Sequence, residues 1–346
     1  MPEGINRQWL LAKRPEGPPG DQHFRWAETP VPSPGPGQAL VQNLWLSLDP
    51  TMLLYAADDS ERPLIPIGRP MRSIAVSRVV ESRRPGIEPG EVVHGLFGWE
   101  DYSLTDDVGD LPLTKVAPTI PPNLALGTFG LTGMAAYFGV REIGKARTGE
   151  TIVVSSAAGG VGSIAGQVAR ILGLRVIGIA GGKEKCEWLI REGGFAGAID
   201  HRSEDVGARL TELCPQGIDI YFDNTGGPML DEALAHLRRN ARVVLCGLTS
   251  RYAQHAPAPG LANYTALIME RAHMEGFFAS DFAARFPEAR EALGNWLRSG
   301  QLKSKEDVVV GLENAPKALA RVFAGTNVGK QLLRIVDVGA EPDAPA

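Results

Sequence analysis

One stretch near the middle of the chain combines an apolar run, a cluster of small residues and a helical pattern. It reads VVSSAAGGVGSIAG, from Val153 to Gly166, with small residues at Ser156, Gly159 and Gly162. Small side chains let a backbone approach a pyrophosphate, and a helix N-terminus offers free N–H groups and a partial positive charge. The pattern therefore predicts a dinucleotide site. The alternative is a glycine-rich turn at which a helix merely packs close to a strand.

The residues after the next predicted strand bear on which dinucleotide this turn would hold. An acidic side chain about 20 residues downstream of the turn binds the ribose 2′-hydroxyl of NAD. Here the chain reads GIAGGKEK: Gly181–Gly182 leave room, Lys183 and Lys185 supply positive charge, and His201–Arg202 follow the next strand. These cations can converge on a 2′-phosphate, which favours NADP(H). The alternative is that the lysines are solvated at a helix start, and Glu184 reduces the local charge.

Metal and nucleophilic chemistry find little support in the sequence. The first 185 residues contain no cysteine, His23 and His94 stand alone, and neither HExxH nor GxSxG occurs. The three cysteines, Cys186, Cys214 and Cys246, are odd in number and form no CxxC pair. They are therefore interpreted as buried thiols in a reducing compartment.

Direct hydride transfer is the chemistry that remains. In such a reaction the cofactor carries the chemistry, and the protein orients the substrate and stabilises developing negative charge. Tyrosine is a natural neutral donor, and Tyr252 follows the predicted strand ARVVLCGL, at the edge where ligands bind in such sheets. Tyr264 and Tyr55 are alternatives, and an ordinary packing role is an equal alternative for each of the three.

The elements that must position these residues fall into two kinds. At 346 residues, the chain is long enough for roughly two domains. Up to about residue 125 it is rich in Pro and Gly, which together with short strand-like runs is typical of an all-β, barrel-like unit. These runs are RQWLLA, QALVQNLWLSL, SIAVSRVVES and EVVHGLFGW.

After GTFGLTGMAAYFGV, strands alternate with helices. The predicted strands are TIVVS, RVIGIA, GAID, IDIYFDN and ARVVLCGL, and the helical patterns are VGSIAGQVARIL, KEKCEWLIRE, VGARLTEL and MLDEALAHL. This alternation predicts an α/β fold with a doubly wound parallel sheet. The tail, from EDVVVGLENAPKALARVF to GKQLLRIVD, adds a helix between two strands, which either extend the sheet or return to the first domain.

Composition excludes other classes of protein. The net charge is −5 and the sequence has no block of basic residues, so it lacks the basic patch with which proteins bind the phosphates of nucleic acids. Hydrophobic residues make up 44% and charged residues 22%, which are values of a folded globular chain. The first residues lack the pattern of a signal peptide and no stretch is apolar over a membrane-spanning length, so we expect a cytoplasmic protein.

A set of motifs resembles one enzyme family. NRQWLLAKRPEG, LSLDP, SSAAGGVGS, AGGKEK, YFDNTGG, LCGL, MEGF and NVGKQLLRI occur in order between about residues 6 and 337. They resemble the zinc-independent medium-chain reductases, in the branch of alkenal/one oxidoreductases, prostaglandin reductases and curcumin reductase-like proteins. The resemblance implies a GroES-like β-barrel substrate domain over residues 1–128, to which residues 300–346 return, and a Rossmann NADP-binding domain over 129–299. It also implies zinc-free, NADPH-dependent reduction of the carbon–carbon double bond of α,β-unsaturated ketones and aldehydes by a homodimer.

The resemblance also assigns site residues by position. The glycine turn would line the pyrophosphate, Lys185 would meet the 2′-phosphate, and His201 stands where the family often has a phosphate-binding tyrosine. The residues assigned to the cofactor are Gly159, Gly160, Val161, Gly162, Lys185, His201, Asn224, Cys246, Leu248, Ser250, Tyr252, Phe277, Phe278, Ala279 and Asn327. Tyr252 is also the catalytic candidate, and no metal ligand is assigned.

Three departures from the family pattern concern the substrate side. DPTMLLY, Asp49–Tyr55, replaces the usual DPYMRGR, Ala135 replaces a hydroxyl, and Met269 replaces a tyrosine of some members. Three hypotheses follow. The first is an ene-reductase in which Tyr252, or the ribose hydroxyl it orients, stabilises an enolate. The second is a quinone reductase on the same scaffold, motivated by the altered DPTMLLY, and the third is a non-catalytic NADPH-binding protein, motivated by the lost polar groups.

Overall fold

The computed structural model describes residues 4–56, 65–105, 112–250, 252 and 260–336. By its internal contacts the chain divides into two units, and each is built from separate segments. The first unit comprises Met1–Leu126, Asp307–Asn327 and Gln331–Ala346, and the second comprises Gly127–Glu306 and Val328–Lys330. The end of the predicted returning segment, residues 337–346, lies outside the described residues.

The first unit is built from antiparallel strands. Strands β1 and β2 form a two-stranded ribbon, and the described residues also form a seven-stranded sheet in the order β14-β15-β3-β4-β5-β7, with β6 paired to β3. The strands are β1 (Ile5–Leu11), β2 (Phe24–Pro30), β3 (Ala39–Ser47), β4 (Arg72–Ser82), β5 (Val92–Gly98), β6 (Tyr102–Leu104), β7 (Thr114–Lys115), β14 (Glu306–Val310) and β15 (Lys330–Arg334). The helices of this unit are α1 (Leu53–Ala56), α2 (Pro122–Leu126) and α10 (Ala315–Ala324). The predicted strand-rich first domain is therefore present.

Strand β3 carries the polar residue Asn43 inside an otherwise largely apolar run. Its sequence ALVQNLWLS is buried at nearly every position. The side-chain amide of Asn43 donates to the carbonyls of Gly98 (3.1 Å) and Glu100 (2.8 Å), and its oxygen accepts from Ser77 (2.7 Å). A buried amide with its hydrogen bonds satisfied avoids the penalty of an unpaired polar group, so β3 stays in the core.

The second unit is built around six parallel strands in the order β10-β9-β8-β11-β12-β13. The strands are β8 (Thr151–Val154), β9 (Arg175–Ala180), β10 (Gly197–Asp200), β11 (Ile218–Asp223), β12 (Leu237–Leu245) and β13 (His273–Gly276). The helices are α3 (Leu131–Phe138), α4 (Gly160–Ile171), α5 (Lys183–Arg191), α6 (Val206–Leu213), α7 (Gly227–Leu234), α8 (Ala266–Met269) and α9 (Phe286–Arg298). Numbered within the sheet, this order is 3-2-1-4-5-6, so the predicted doubly wound sheet is confirmed.

Strand β12 differs from the strand predicted over residues 241–248. It begins at Leu237, because this residue pairs with Ile218 of β11. It ends at Leu245, because the next two backbone amides both turn to donate to the carbonyl of Asp223 (2.9 and 3.1 Å). The preceding predicted helix, MLDEALAHL, also ends early, since its last residue opens β12.

Helix α4, predicted from VGSIAGQVARIL, buries polar as well as apolar side chains. Ser163 and Gln167 are both buried among its apolar residues. The amide of Gln167 is satisfied, because it donates to the carbonyl of Lys303 (3.0 Å) and accepts from the backbone N–H of the same residue (2.8 Å).

Among the described residues, no helix is both long and apolar enough to cross a membrane.

Candidate cofactor-binding and active site

The order of the parallel strands reverses between β8 and β11, and the residues that follow these strands are joined by hydrogen bonds. The hydroxyl of Ser155 donates to Asp223 (2.9 Å) and accepts from the backbone N–H of Asn224 (2.8 Å). The side-chain amide of Asn224 donates to the carbonyl of Ser155 (2.7 Å). Ligands of doubly wound sheets bind outside the carboxyl ends of the strands at this reversal. The predicted residue Asn224 is therefore fixed at the place where a dinucleotide binds in such sheets.

Asp223 holds the turn that follows β11. Its buried carboxylate accepts from the backbone N–H groups of Thr225 (3.0 Å) and Gly226 (3.0 and 3.1 Å), besides the hydroxyl of Ser155. Burial raises the pKa of Asp223, and these hydrogen bonds oppose part of that rise. Sequence reasoning missed Asp223 and Ser155. The available signal was a polar residue at the end of each of two apolar strands.

Two glycines of α4 have no room for larger side chains where the helix packs on the glycine-rich turn and on Phe195. A Cβ on Gly162 would lie 2.4 Å from the carbonyl oxygen of Ser156, and one on Gly166 would lie 2.0 Å from the ring of Phe195. Ser156 itself has a φ of +47°, and Gly159 is the N-cap of α4. The turn therefore packs tightly against α4, whose first backbone amides form a helix N-terminus of the kind that binds anions.

A short segment from the far end of the chain packs against this turn. This segment, the strap, is Val328–Lys330, and the amide of Gly329 donates to the carbonyl of Ala158 (2.8 Å). Gly329 has a φ of +85°, and a Cβ there would lie 2.1 Å from the carbonyl oxygen of Lys305. The side chain of the last strap residue lies beside Gly160, with its Cδ 3.0 Å from where a Cβ would stand. The strap therefore fixes the turn from outside, and no other residue fits in place of Gly329 without a shift.

The loop after β12 packs on the glycines after β11. The hydroxyl of Ser250 donates to the carbonyl of Thr225 (2.6 Å), and a Cβ on Gly226 would lie 2.9 Å from the side chain of Leu248. Burial, with a smaller contribution from the nearby Asp223, raises the pKa of Cys246 to about 12. The structure thus brings together the predicted residues Asn224, Cys246, Leu248 and Ser250 beside the turn.

Tyr252, the predicted catalytic residue, folds back over this loop. Its hydroxyl accepts from the backbone N–H of Leu248 (3.3 Å). Arg251, which lies between the predicted residues Ser250 and Tyr252, is outside the described residues. Of the alternatives, Tyr264 is 57% exposed and Tyr55 packs against the hydrophobic core of the first unit. Within the second unit, Tyr252 is thus the candidate that is held by the loop of the site.

A cluster of basic residues around Gly181, called the basic recess below, lies at the carboxyl ends of β9 and β10. A Cβ on Gly181 would meet the Nε2 atom of His201 and the Nε atom of Arg202, each at 2.8 Å. The carboxylate of Asp200 accepts from the backbone N–H of the glycine after Gly181 (2.7 Å) and from that of Arg202 (3.1 Å), and such bonds lower the pKa of Asp200. Lys185 lies in the first turn of α5. The two glycines and the three basic residues fit an anion such as a 2′-phosphate.

The remaining predicted cofactor residues, three just after β13 and one near the end of the first unit's helix α10, differ in burial and position. Phe277 packs inward, since a Cβ on Gly139 would lie 2.8 Å from its ring, whereas Phe278 is 63% exposed and Ala279 opens a short 3₁₀ turn. Asn327 is buried and belongs to the first unit. The assignment of these residues to the cofactor stays a prediction.

Comparison with known proteins places the chain in a family. It matches two family models, described as the N-terminal domain of oxidoreductase over residues 7–112 and as zinc-binding dehydrogenase over residues 160–295. It is 38% identical to the NADPH-dependent curcumin reductase of Escherichia coli, over 95% of this chain and 97% of that protein. The chain belongs to the zinc-independent medium-chain reductases. The resemblance stated from the sequence and the predicted fold class are both confirmed.

Other members of the family agree with this assignment. The chain is 37% identical to a 2-alkenal reductase (NADP(+)-dependent) of Nicotiana tabacum, over 87% of this chain and 88% of that protein. The crystal structure of CurA in complex with NADPH from Vibrio vulnificus is 36% identical, with a TM-score of 0.88, over 97% of this chain and 100% of that chain.

One family description names zinc, but the described residues contain no group of three or more His, Cys, Asp or Glu side chains that could hold a metal ion.

Proposed function

We propose that this chain is an NADPH-dependent reductase of carbon–carbon double bonds conjugated to a ketone or an aldehyde. The observation that carries the proposal is its similarity, along nearly the whole chain, to a curcumin reductase and a 2-alkenal reductase that are both named for NADP(H). A 2-alkenal is an aldehyde whose double bond is conjugated to the carbonyl. The glycine turn and the basic recess at Gly181 support the cofactor in this proposal.

The glycine-rich turn and the basic recess would hold the cofactor. The turn before α4 would bind the pyrophosphate through its backbone amides, and the basic recess would bind the 2′-phosphate. The loops after β11, β12 and β13 would enclose the rest. The proposed cofactor residues are Gly159, Gly160, Val161, Gly162, Lys185, His201, Asn224, Cys246, Leu248, Ser250, Tyr252, Phe277, Phe278, Ala279 and Asn327.

When bound, NADPH supplies a hydride for the β-carbon of the substrate. Negative charge then develops on the substrate's carbonyl oxygen, where a positioned hydrogen-bond donor stabilises it. A proton added at the α-carbon converts this enolate into the saturated ketone or aldehyde. In this proposal Tyr252 is the donor. Its hydroxyl accepts a hydrogen bond from the backbone N–H of Leu248, which orients the phenol. A phenol hydroxyl can donate as well as accept a hydrogen bond.

The first test is turnover by metal-stripped protein. NADPH and NADH oxidation are followed in parallel with enones, enals and quinones as acceptors. Rapid turnover of an enone or enal with NADPH after chelation is the expected result. A higher rate with quinones would assign the scaffold to quinone reduction, and tight NADPH binding without turnover on any acceptor would make the chain a cofactor-binding protein. Metal-dependent turnover would refute the zinc-free reaction.

The role of Tyr252 is tested by Tyr252→Phe, which removes only the hydroxyl. We expect kcat/KM with a good enone to fall about 100-fold, the loss typical of removing one oxyanion donor. Full activity of the variant would rule out Tyr252 as the donor.

The two units would divide the work. We propose that residues 129–299 form the NADP-binding domain and that residues 1–128, joined by 300–346, form the substrate-binding domain. The parallel sheet with its glycine turn supports the first assignment. Exchange of DPTMLLY, Asp49–Tyr55, for the family pattern DPYMRGR should then change the acceptor preference and leave the Kd for NADPH unchanged.

We further propose that the chain forms a homodimer through the outer edge of β13. Within the described residues β13 has a strand neighbour on one side only, and Ile268 and Met269, shortly before it, are 72% and 66% exposed. An open strand edge beside exposed apolar side chains suits a two-fold symmetric contact. Ile268→Lys should shift the sedimenting species to monomer, whereas Ile190→Lys, at an exposed isoleucine of α5, should not.

A cytoplasmic location is proposed on the cysteines. Cys186, Cys214 and Cys246 are all free thiols in the structure, which suits a reducing compartment. Fractionation of cells that express the protein with an antibody tag would test this, and recovery from an oxidising compartment would contradict it.

A further inference from the structure

The two residues that follow β10 cover the glycine that ends the adjacent strand. His201 is exposed as a residue, but its Nε2 atom and the Nε atom of Arg202 both lie 2.8 Å from where a Cβ on Gly181 would stand. Because Gly181 has no side chain, the ring nitrogen lies directly against this glycine, within the cluster of basic residues proposed to bind the 2′-phosphate. Bulk water reaches the same ring, so protons exchange freely with the solvent.

The charged groups around His201 come from three elements. Arg202 follows it in the turn, Asp200 precedes it at the end of β10, and Lys185 approaches from the first turn of α5. The Asp200 carboxylate is already engaged by backbone N–H groups and by the hydroxyl of Ser203 (3.0 Å). Arg202 and Lys185 thus place positive charge beside the ring, and Asp200 opposes them. The Glu204 carboxylate, which accepts from the backbone N–H of Asp200 (2.7 Å), adds a further negative charge behind Asp200.

We propose that His201 makes cofactor binding proton-linked: its ring takes up one proton from the solvent when the 2′-phosphate of NADPH binds beside Gly181, whereas NADH binds without this uptake. The inference rests on the proposed function, because it needs NADPH as the ligand. It goes beyond that function, because it makes the preference for NADPH over NADH a function of pH.

The direction follows from the charges. In the free protein, partial burial and the cations Arg202 and Lys185 lower the pKa of His201, with Asp200 opposing them, so the ring is neutral at neutral pH. A phosphate dianion at the recess favours the charged ring and raises its pKa. A larger fraction of the His201 rings is then protonated in the complex than in the free protein. The affinity for NADPH therefore increases as pH falls through the pKa of His201 in the complex, and it levels off below the pKa of His201 in the free protein. Uptake of about half a proton near pH 7 corresponds to roughly threefold tighter binding per pH unit.

Calorimetry measures the proton directly. NADPH and NADH are titrated into the protein at pH 7.5 in two buffers that differ in ionisation enthalpy, and the difference in heat gives the protons taken up. At this pH a phosphate monoester, with a second pKa of about 6, is already a dianion and contributes little. We expect uptake with NADPH, none with NADH, and loss of the uptake in His201→Gln, which retains a hydrogen-bond donor without a titrating ring.

His236→Gln is the matched control. His236 lies just before β12, at the amino edge of the sheet, and pairs with Glu232 (3.1 Å). This variant should keep the full proton uptake and the pH dependence of the wild type. Unchanged uptake in His201→Gln would refute the assignment to this ring.

A second readout is made on the wild-type protein. Its histidine ring resonances are titrated with and without NADPH, and the His201 signal is identified as the one that is absent from spectra of folded His201→Gln. We expect its titration midpoint to rise by about one pH unit or more with NADPH and to stay with NADH. NADPH binding without proton uptake overturns this inference and leaves the proposed function standing, whereas absence of NADPH binding overturns both.

Discussion

Gly329 of the strap provides the most direct test of how the glycine-rich turn is held. Gly329→Ala adds one methyl group where the backbone has a φ of +85° and where a Cβ would lie 2.1 Å from the carbonyl oxygen of Lys305. The strap must therefore move away from Lys305 and Ala158. Two hydrogen bonds are at risk, from the amide of Gly329 to Ala158 and from the amide of Lys330 to Lys305, both 2.8 Å long.

The expected loss of unfolding free energy can be summed from these contacts. A non-glycine residue in the left-handed region costs about 1–2 kcal/mol, and each lost hydrogen bond costs about 0.5–1.5 kcal/mol. The total is about 2–5 kcal/mol. NADPH affinity should fall as well, because the strap forms a backbone bridge with Gly159 at the start of α4.

Gly300→Ala is the matched control. Gly300 also has a positive φ, +72°, but a Cβ there would meet nothing within 4 Å. It therefore measures backbone strain alone, about 1–2 kcal/mol. Unfolding free energies from urea titrations and the Kd for NADPH are compared for both variants. If Gly329→Ala loses no more stability than Gly300→Ala and binds NADPH normally, the strap does not hold the turn and the reasoning fails.

Three further predictions concern the site. Asp223→Asn places an amide N–H group opposite the N–H and O–H donors from which the carboxylate accepts, so the KM for NADPH should rise about tenfold with a smaller change in kcat. Steady-state kinetics that show a large fall in kcat with little change in KM would contradict this. Gly181→Ala pushes the side chains of His201 and Arg202 out of the recess, so fluorescence titration should show about tenfold weaker NADPH binding with NADH unaffected, and an equal loss for both would point to general damage. With a pKa of about 12, the partly buried Cys246 should resist iodoacetamide at pH 8 in the folded protein and react in urea, and mass spectrometry showing rapid labelling of the folded chain would contradict the raised pKa.

Local patterns were enough to predict the parallel sheet and the turn. The run TIVVS, the small residues from Ser156 to Gly162 and the helical pattern after them are adjacent in the chain, so their order alone fixes a strand, a turn and a helix. The predicted cations at His201–Arg202 were also found against Gly181, because parallel neighbouring strands end at the same edge.

Contacts between distant residues could not be read in the same way. The end of β12 is set by the carbonyl of Asp223, which takes the next two amides and turns the apolar residues Cys246 and Leu248 into a loop. Helix α4 carries Gln167 in a buried position because the backbone of Lys303 satisfies its amide. Neither partner is near in sequence, so local patterns predicted a strand that runs on to Leu248 and did not show that Gln167 is buried.

The strap also has a consequence for the order in which the protein matures during synthesis. The last strand of the parallel sheet ends at Gly276, whereas the strap begins at Val328. At about 5–20 residues per second, a ribosome needs several seconds to make the intervening chain, so the sheet can assemble before its glycine turn is closed. A nascent or prematurely ended chain without residues 328–330 would carry the sheet and the turn but lack the segment that braces them. Tight NADPH binding would then distinguish chains that have been synthesised past Lys330 from those that have not.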